Sequence, residues 1–298
     1  MSNFAKHELI QAIRKMVAKE QQVNAEQISE KFIDLDEIIR NKNPRLANML
    51  PGFILRYLKR VIHERELNEI IFQNRDKFGL DFINSLLETY QAKITVNGLE
   101  NIPKEGRYIL VSNHPLGGLD GIALMGVVGK VRKDIIFPVN DLLMNLPNLK
   151  VLFAPINKHG SNRENIKIIE DVFASDVFIL YFPAGLVSRK HGKKIMDLEW
   201  KKSFILWASK HKRDIIPVYI EAKNTNFFYN LARLRAFFRI KQNIEMLYLV
   251  DEMFKQKDKD LVITIGTAVP YSSFDNSHTS IEWAKIMKEK VYSLKQDK

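Results

Sequence analysis

The sequence predicts an α/β fold, a mixed and largely parallel sheet flanked by helices, behind an N-terminal helical region. Three observations carry this expectation. Up to about residue 90, apolar residues recur at helical spacing. From Ala92 onward, short runs rich in Ile, Val, Phe and Tyr alternate with helical stretches. Several of those runs are apolar without a break, as buried strands are. The expected division is a helical region over residues 1–90 and an α/β domain over residues 91–298. The 298 residues, 46% of them apolar, suffice for one large α/β domain or one domain with an appendage.

In the first region, Phe4, Leu9, Ile10, Ile13, Met16 and Val17 mark one helix, and Asn24 is placed to cap another. Asn43-Pro44 and Pro51-Gly52 punctuate the chain. Residues 53–63 then mix Phe53, Tyr57 and Leu58 with Arg56, Lys59 and Arg60. Such a helix suits a membrane surface, with its bases toward headgroups, or a core position with a solvated basic edge. Residues 81–90 are a last helix before the sheet.

Residues 93–96 read as the first strand, and residues 107–111 as a buried second one. A helix follows over residues 121–128. Between strand and helix lies Ser112-Asn113-His114-Pro115-Leu116-Gly117-Gly118-Leu119-Asp120. His114 thus leaves the carboxyl end of a strand, where open α/β sheets bind ligands. Asp120 sits near a helix start. One reading is chemical: the carboxylate orients the imidazole, whose other nitrogen takes a proton from an attacking hydroxyl or amine. The other is a plain turn in which Asp120 caps the helix. The chain has no cysteine and no Gly-x-Ser-x-Gly elbow, so in the chemical reading the attacking group belongs to the substrate.

Residues 134–139 and 151–156 are the next strands, with a short helix from Asn140-Asp141 between them. Asn157, Lys158, Ser161, Asn162 and Arg163 then form a polar, cationic loop at the start of a helix that runs to Ala174. Helix N-termini and cations together hold anions. The plainer reading is a surface pair between Arg163 and a Glu. Residues 176–181 are a strand that runs into Phe182-Pro183-Ala184-Gly185, then a second basic loop with Ser188, Arg189 and Lys190. Residues 200–212 are a helix, and residues 215–220 a strand. Residues 227–239 carry Phe227, Phe228, Phe237 and Phe238 with Arg233, Arg235 and Arg239, the best candidate for membrane contact. Residues 247–250 and 262–266 are late strands, and a helix begins near Thr279.

Asn113-His114 with a near Asp120, then a strand ending in Phe182-Pro183-Ala184-Gly185, resembles the glycerolipid acyltransferase family. The family's motifs are Asn-His-x4-Asp and Phe-Pro-Glu-Gly. The long form Asn-His-Pro-Leu-Gly-Gly-Leu-Asp-Gly is similar to a subfamily labelled hemolysin or ornithine- and glycine-lipid acyltransferase. The resemblance runs from about residue 41 to about residue 269. Two departures stand out. Five residues separate His114 from Asp120 where the family has four, and Gly117-Gly118 offer the wider turn that would absorb the extra one. Ala184 stands where the family has a Glu implicated in acceptor binding, which argues against a glycerol-phosphate acceptor.

The resemblance implies a peripheral O-acyltransferase at the cytoplasmic face of a membrane. His114 would be the general base and Asp120 its orienting group. Asn157, Lys158, Arg163, Gly185, Ser188 and Arg189 would bind the acceptor. The donor would be an acyl chain on acyl carrier protein or coenzyme A, and the acceptor a lyso-lipid, with no metal or organic cofactor needed. The net charge of +11 and pI of about 9.5 suit acidic carriers and an anionic membrane surface. No nucleic-acid motif accompanies that charge. Two other readings use the same residues. One is a metal-dependent hydrolase built on His114, Asp120 and His159 or His191, though short-spaced His ligand pairs are missing from the sequence. The other is a basic membrane-binding module without catalysis.

Overall fold

The computed structural model of the chain describes residues 32–140, 143–156, 163–192 and 194–295. The helices expected before residue 32 lie outside the described residues, as does Asp141. Five helices precede the sheet among the described residues: α1 (Leu35–Lys42), α2 (Pro44–Met49), α3 (Gly52–Val61), α4 (Glu64–Gln73) and α5 (Gly79–Tyr90). Local chemistry sets their ends. Asp34 caps α1 by accepting from the N–H groups of Asp36 and Glu37, and Asn43 caps α2, which opens on Pro44.

The sheet has seven strands in the order β1-β9-β8-β2-β5-β3-β4. In chain order these are β1 (Lys93–Asn97), β2 (Tyr108–Ser112), β3 (Ile135–Val139), β4 (Phe153–Pro155), β5 (Phe178–Tyr181), β8 (Asp214–Glu221) and β9 (Asp260–Ile265). Every neighbouring pair is parallel except β8 with β9, so the sheet is mixed and largely parallel, as the sequence predicts. β6 (Arg189–His191) and β7 (Lys194–Met196) form a separate antiparallel hairpin. The helices of this part are α6 (Gly118–Val128), α7 (Arg163–Ala174), α8 (Ser203–His211), α9 (Asn226–Phe237), α10 (Leu249–Phe254) and α11 (Ser280–Ser293).

The strands' period of two divides the core into two layers. Leu110, Phe178, Leu180, Ile135, Phe137, Ile216 and Val218 face one side and pack against Phe82 and Ile83 of α5 and Leu124 of α6. Ile109, Val111, Ile179 and Ile215 face the other side, with Phe173 of α7, Phe204 of α8 and Met287 and Val291 of α11. A third, small cluster joins Val187, Phe228 and Tyr229 to Ile195, Met246 and Leu249. It lies under the segments that follow the strand ends.

Three local expectations differ from the structure. Residues 247–250 are helical: a 3₁₀ turn over Ile244–Tyr248 leads into α10. A run of four apolar residues has no periodicity to tell strand from helix. Here Met246 and Leu249 reach one cluster at helical spacing, while Glu252 turns to Thr225. Residues 151–156 hold only the short β4, because a 3₁₀ stretch opened by Pro147 runs to Leu152. Arg189 and Lys190, read as loop, enter the β6–β7 hairpin.

Candidate active site

His114 emerges beyond the carboxyl end of β2, in the middle of the sheet between β8 and β5. Asn113 continues the β2–β8 pairing with its side chain. Its Nδ2 donates to the carbonyl of Ile220 at 2.9 Å, and its Oδ1 accepts the Ile220 N–H at 2.7 Å. The chain then turns through Gly117, at φ 95° and ψ −126°, a conformation open in practice to glycine alone. Because of that turn, Asp120 Oδ2 lies 3.0 Å from His114 Nδ1. The extra residue of the loop is absorbed and the pair closes.

The same oxygen accepts the N–H groups of Leu116 at 2.8 Å and Gly117 at 3.0 Å. With its lone pairs already facing two amide protons, Oδ2 acts as an acceptor, so in the neutral ring Nδ1 carries the proton toward it and Nε2 the lone pair. Among the described residues Nε2 has no hydrogen-bond partner. Asp120 is fully buried, and burial pushes its carboxyl above the ordinary range, while His114 and the two amides pull it back. Its Oδ1 has no hydrogen-bond partner among the described residues.

β2 and β5 pair with Val111 opposite Tyr181, so the residues beyond their ends meet. Phe182 stacks flat on the His114 ring, centroids 4.1 Å apart, and Phe137 meets Phe182 edge-on. The His114 main chain is held as well. Its carbonyl accepts the Ser188 N–H at 2.8 Å, and its N–H donates to Asp197 Oδ1 at 3.1 Å. The side chain retains 17% exposure. What results is an imidazole gripped at one nitrogen, one face and both main-chain groups, with its other nitrogen able to take a proton. The nearby serines are committed elsewhere: Ser112 Oγ donates to the Asn113 carbonyl, and Ser188 Oγ to Asp197. Neither hydroxyl is bonded to the imidazole.

The acceptor-loop candidates fare differently. Asn157, Lys158 and the side chain of Arg163, which opens α7, lie outside the described residues, as does His159. Gly185 sits at φ 63° in the turn after Phe182, its N–H on the Phe182 carbonyl. The sequence places Ser188 and Arg189 toward the acceptor, whereas in the structure both turn inward. Ser188 is buried against Asp197. Arg189 Nη2 donates to Glu245 Oε1 at 2.8 Å, and its guanidinium lies over the Phe228 ring. Glu245 is fully buried and takes Arg235 on its other oxygen at 2.9 Å. A buried carboxylate draws in both cations because it would otherwise be uncompensated. Burial lowers the Arg189 guanidinium below its usual value, and Glu245 opposes that shift.

Of the membrane-contact candidates, Phe228 is fully buried in the third cluster, and Arg235 is spent on Glu245. Phe227, Phe237, Phe238, Arg233 and Arg239 are exposed. The sequence reading missed Asp197 and Glu245. Their partners are remote in sequence, and no local pattern marks a lone acid as buried. Among the described residues, no group of three or more His, Asp and Glu side chains is arranged to hold a metal ion.

An imidazole held by a carboxylate at the strand ends of a largely parallel sheet, with no serine hydroxyl bonded to it among the described residues, is an arrangement that would suit a transfer in which the acceptor itself attacks. Residues 37–298 match the family described as acyltransferase, and the chain belongs to that family. It is 46% identical over 265 residues to the lyso-glycine lipid O-acyltransferase of Bacteroides thetaiotaomicron, covering 88% of this chain and 97% of that protein. It is 44% identical over 265 residues to the enzyme of the same name from Phocaeicola vulgatus, covering 88% and 95% respectively. The crystal structure of the 1-acyl-sn-glycerophosphate (LPA) acyltransferase PlsC from Thermotoga maritima aligns at a TM-score of 0.45 and 16% identity, over 100% of both chains.

Proposed function

We propose that this acyltransferase moves a fatty acyl group from a thioester, on acyl carrier protein or coenzyme A, to the hydroxyl of a lyso-glycine lipid at the cytoplasmic face of a membrane. The geometry of His114 and Asp120 carries the reading. His114 Nε2 takes the proton of the acceptor hydroxyl as its oxygen attacks the thioester carbonyl. The tetrahedral intermediate collapses, the C–S bond breaks, and the proton passes to the leaving thiolate. Asp120 stabilises the imidazolium formed between these steps. The thioester is already activated, so the reaction needs no further cofactor. Ala184 supports an acceptor other than a glycerol phosphate. It is buried in the second core cluster, an alanine where the resembled motif has a carboxylate.

Two surface features support peripheral attachment. Met49 and Phe53 are strongly exposed on α2 and α3, and so are Phe237 and Phe238 at the end of α9. Tyr57 of α3 bonds to Tyr248 at 2.9 Å between hydroxyls, and Phe227 of α9 packs edge-on against Tyr248. The two helices therefore meet at one aromatic junction. Arg56, Arg60, Arg233, Arg239 and Lys241 are exposed on the same segments. No helix among the described residues is long and apolar enough to cross a membrane.

The test supplies purified protein with acyl-carrier or acyl-coenzyme A donors and either lyso-glycine lipid or lyso-phosphatidate, with products read by mass spectrometry. Lyso-glycine lipid is the expected acceptor. A folded His114→Ala variant should lose about 10²–10⁴-fold in turnover. Turnover near wild type in that variant refutes the role of His114, and acylation of lyso-phosphatidate alone refutes the acceptor.

A further inference from the structure

We infer that Asp197 is a positioning residue for the base, an assignment that rests on the reading of His114 as that base. Asp120 sets the imidazole's rotation, but the ring can be no better placed than the main chain that carries it. Beyond the end of β2 the His114 peptide groups have left the ladder, and the segment from Ser188 to Asp197 takes them up from both sides. Asp197 is the centre of that grip. Its Oδ1 accepts the His114 N–H at 3.1 Å and the Ser188 hydroxyl at 2.5 Å, while its Oδ2 accepts the Trp200 indole N–H at 2.9 Å.

The residue is itself tied to the far side of the core. Its N–H donates to the Tyr292 hydroxyl at 2.7 Å, and its carbonyl accepts Lys288 Nζ at 2.7 Å, both from α11. Asp197 is 2% exposed, and the Lys288 ammonium on its carbonyl is a cation that interacts with it electrostatically. A polar group buried this deeply is costly unless its hydrogen bonds are made. Here both oxygens are used, one on the catalytic residue's backbone and one on a core tryptophan. A displacement of the reacting group by about 1 Å is enough to cost roughly 100-fold in rate, which is the scale on which such a grip matters.

The test is a cycle on the acyl transfer reaction with Asp197→Asn, His114→Ala and the double variant. Asn keeps the volume but offers one acceptor oxygen instead of two. We expect kcat to fall about 10- to 100-fold in Asp197→Asn, with the KM of donor and acceptor within about twofold and the melting temperature near wild type. In the His114→Ala background the same substitution should cost less than about twofold, because a residue acting through His114 has nothing left to position. Ser188→Ala should show a smaller loss of the same kind. If Asp197→Asn does not fold, Ser188→Ala and Trp200→Phe carry the same cycle. Unchanged kcat, a loss confined to KM, or a full further loss on top of His114→Ala overturns the assignment while leaving His114 as base. Wild-type turnover in His114→Ala overturns both.

Discussion

Asp120→Asn separates what the buried carboxylate does for activity from what it does to stability. The substitution removes a charge and keeps the shape. An Asn oxygen at the site of Oδ2 still accepts from His114 Nδ1, Leu116 N–H and Gly117 N–H. The amide nitrogen then replaces Oδ1, which has no hydrogen-bond partner among the described residues, so its protons go unpaired at about 1–3 kcal/mol. Against this, the variant no longer buries an ion, a cost of several kcal/mol before the three donors offset part of it. The two effects are of similar size, so the melting temperature should stay within a few degrees of wild type or rise. Activity should fall about 10²–10⁴-fold, because the developing imidazolium loses its counter-charge. The pH dependence gives the sharper measurement. Burial raises the Asp120 carboxyl in the folded protein above its unfolded value of about 3.9. The protonated form therefore favours folding below the unfolded value, and that benefit is lost as pH rises through the folded value. Asn lacks the titration. The melting temperature of Asp120→Asn minus that of wild type should grow as pH rises from about 4. A difference that is flat or shrinks refutes the burial argument, and an active variant refutes the orienting role.

Other perturbations follow from the same structure. Gly117→Ala puts a Cβ 3.2 Å from Leu249 Cδ1 on backbone at φ 95°, so thermal unfolding should show a loss of about 1–3 kcal/mol, with activity falling as the His114–Asp120 turn shifts. Glu245→Ala leaves Arg189 and Arg235 without their shared partner, at about 3–5 kcal/mol, and calorimetry should show the melting temperature lowered on the order of 10 °C. Phe237→Ser with Phe238→Ser should weaken sedimentation with anionic vesicles, since each full phenylalanine burial contributes about 1.5–3 kcal/mol, while turnover on detergent-dispersed acceptor persists. Unaltered vesicle binding would remove the end of α9 from the membrane surface.

The sequence shows the strands that matter most, because β2, β3, β5 and β8 are runs buried on both faces and carry their signal locally. The His114 loop is equally legible, since the glycine pair and the two polar residues that need it lie within a few positions. Charge partners are not. Arg189 and Arg235 read as free cations because Glu245, which claims both, lies 56 residues from Arg189. The four phenylalanines near α9 look alike in sequence. Only packing against Val187 and Tyr229 distinguishes the buried Phe228 from the exposed Phe227. The β6–β7 hairpin is hidden for a different reason: Lys190, His191 and Lys194 give it no apolar run to recognise.

The edge strand β1 has a consequence for the order in which the protein is made. Among the described residues its one sheet partner is β9, with Ile94 opposite Leu261, so β1 emerges from the ribosome long before that partner exists. Helical regions can form at once, but closing this loop is entropically slow, and until then the segment's backbone is paired only with water. The β2–β8 pairing under Asn113 and Ile220 and the α11 contacts of Asp197 are likewise late events. A nascent chain stopped before β9 would therefore carry the whole His114 loop and β8, yet lack the partner of β1 and the helix that holds Asp197. During that interval its open strand edge is a natural target for chaperones and for aggregation.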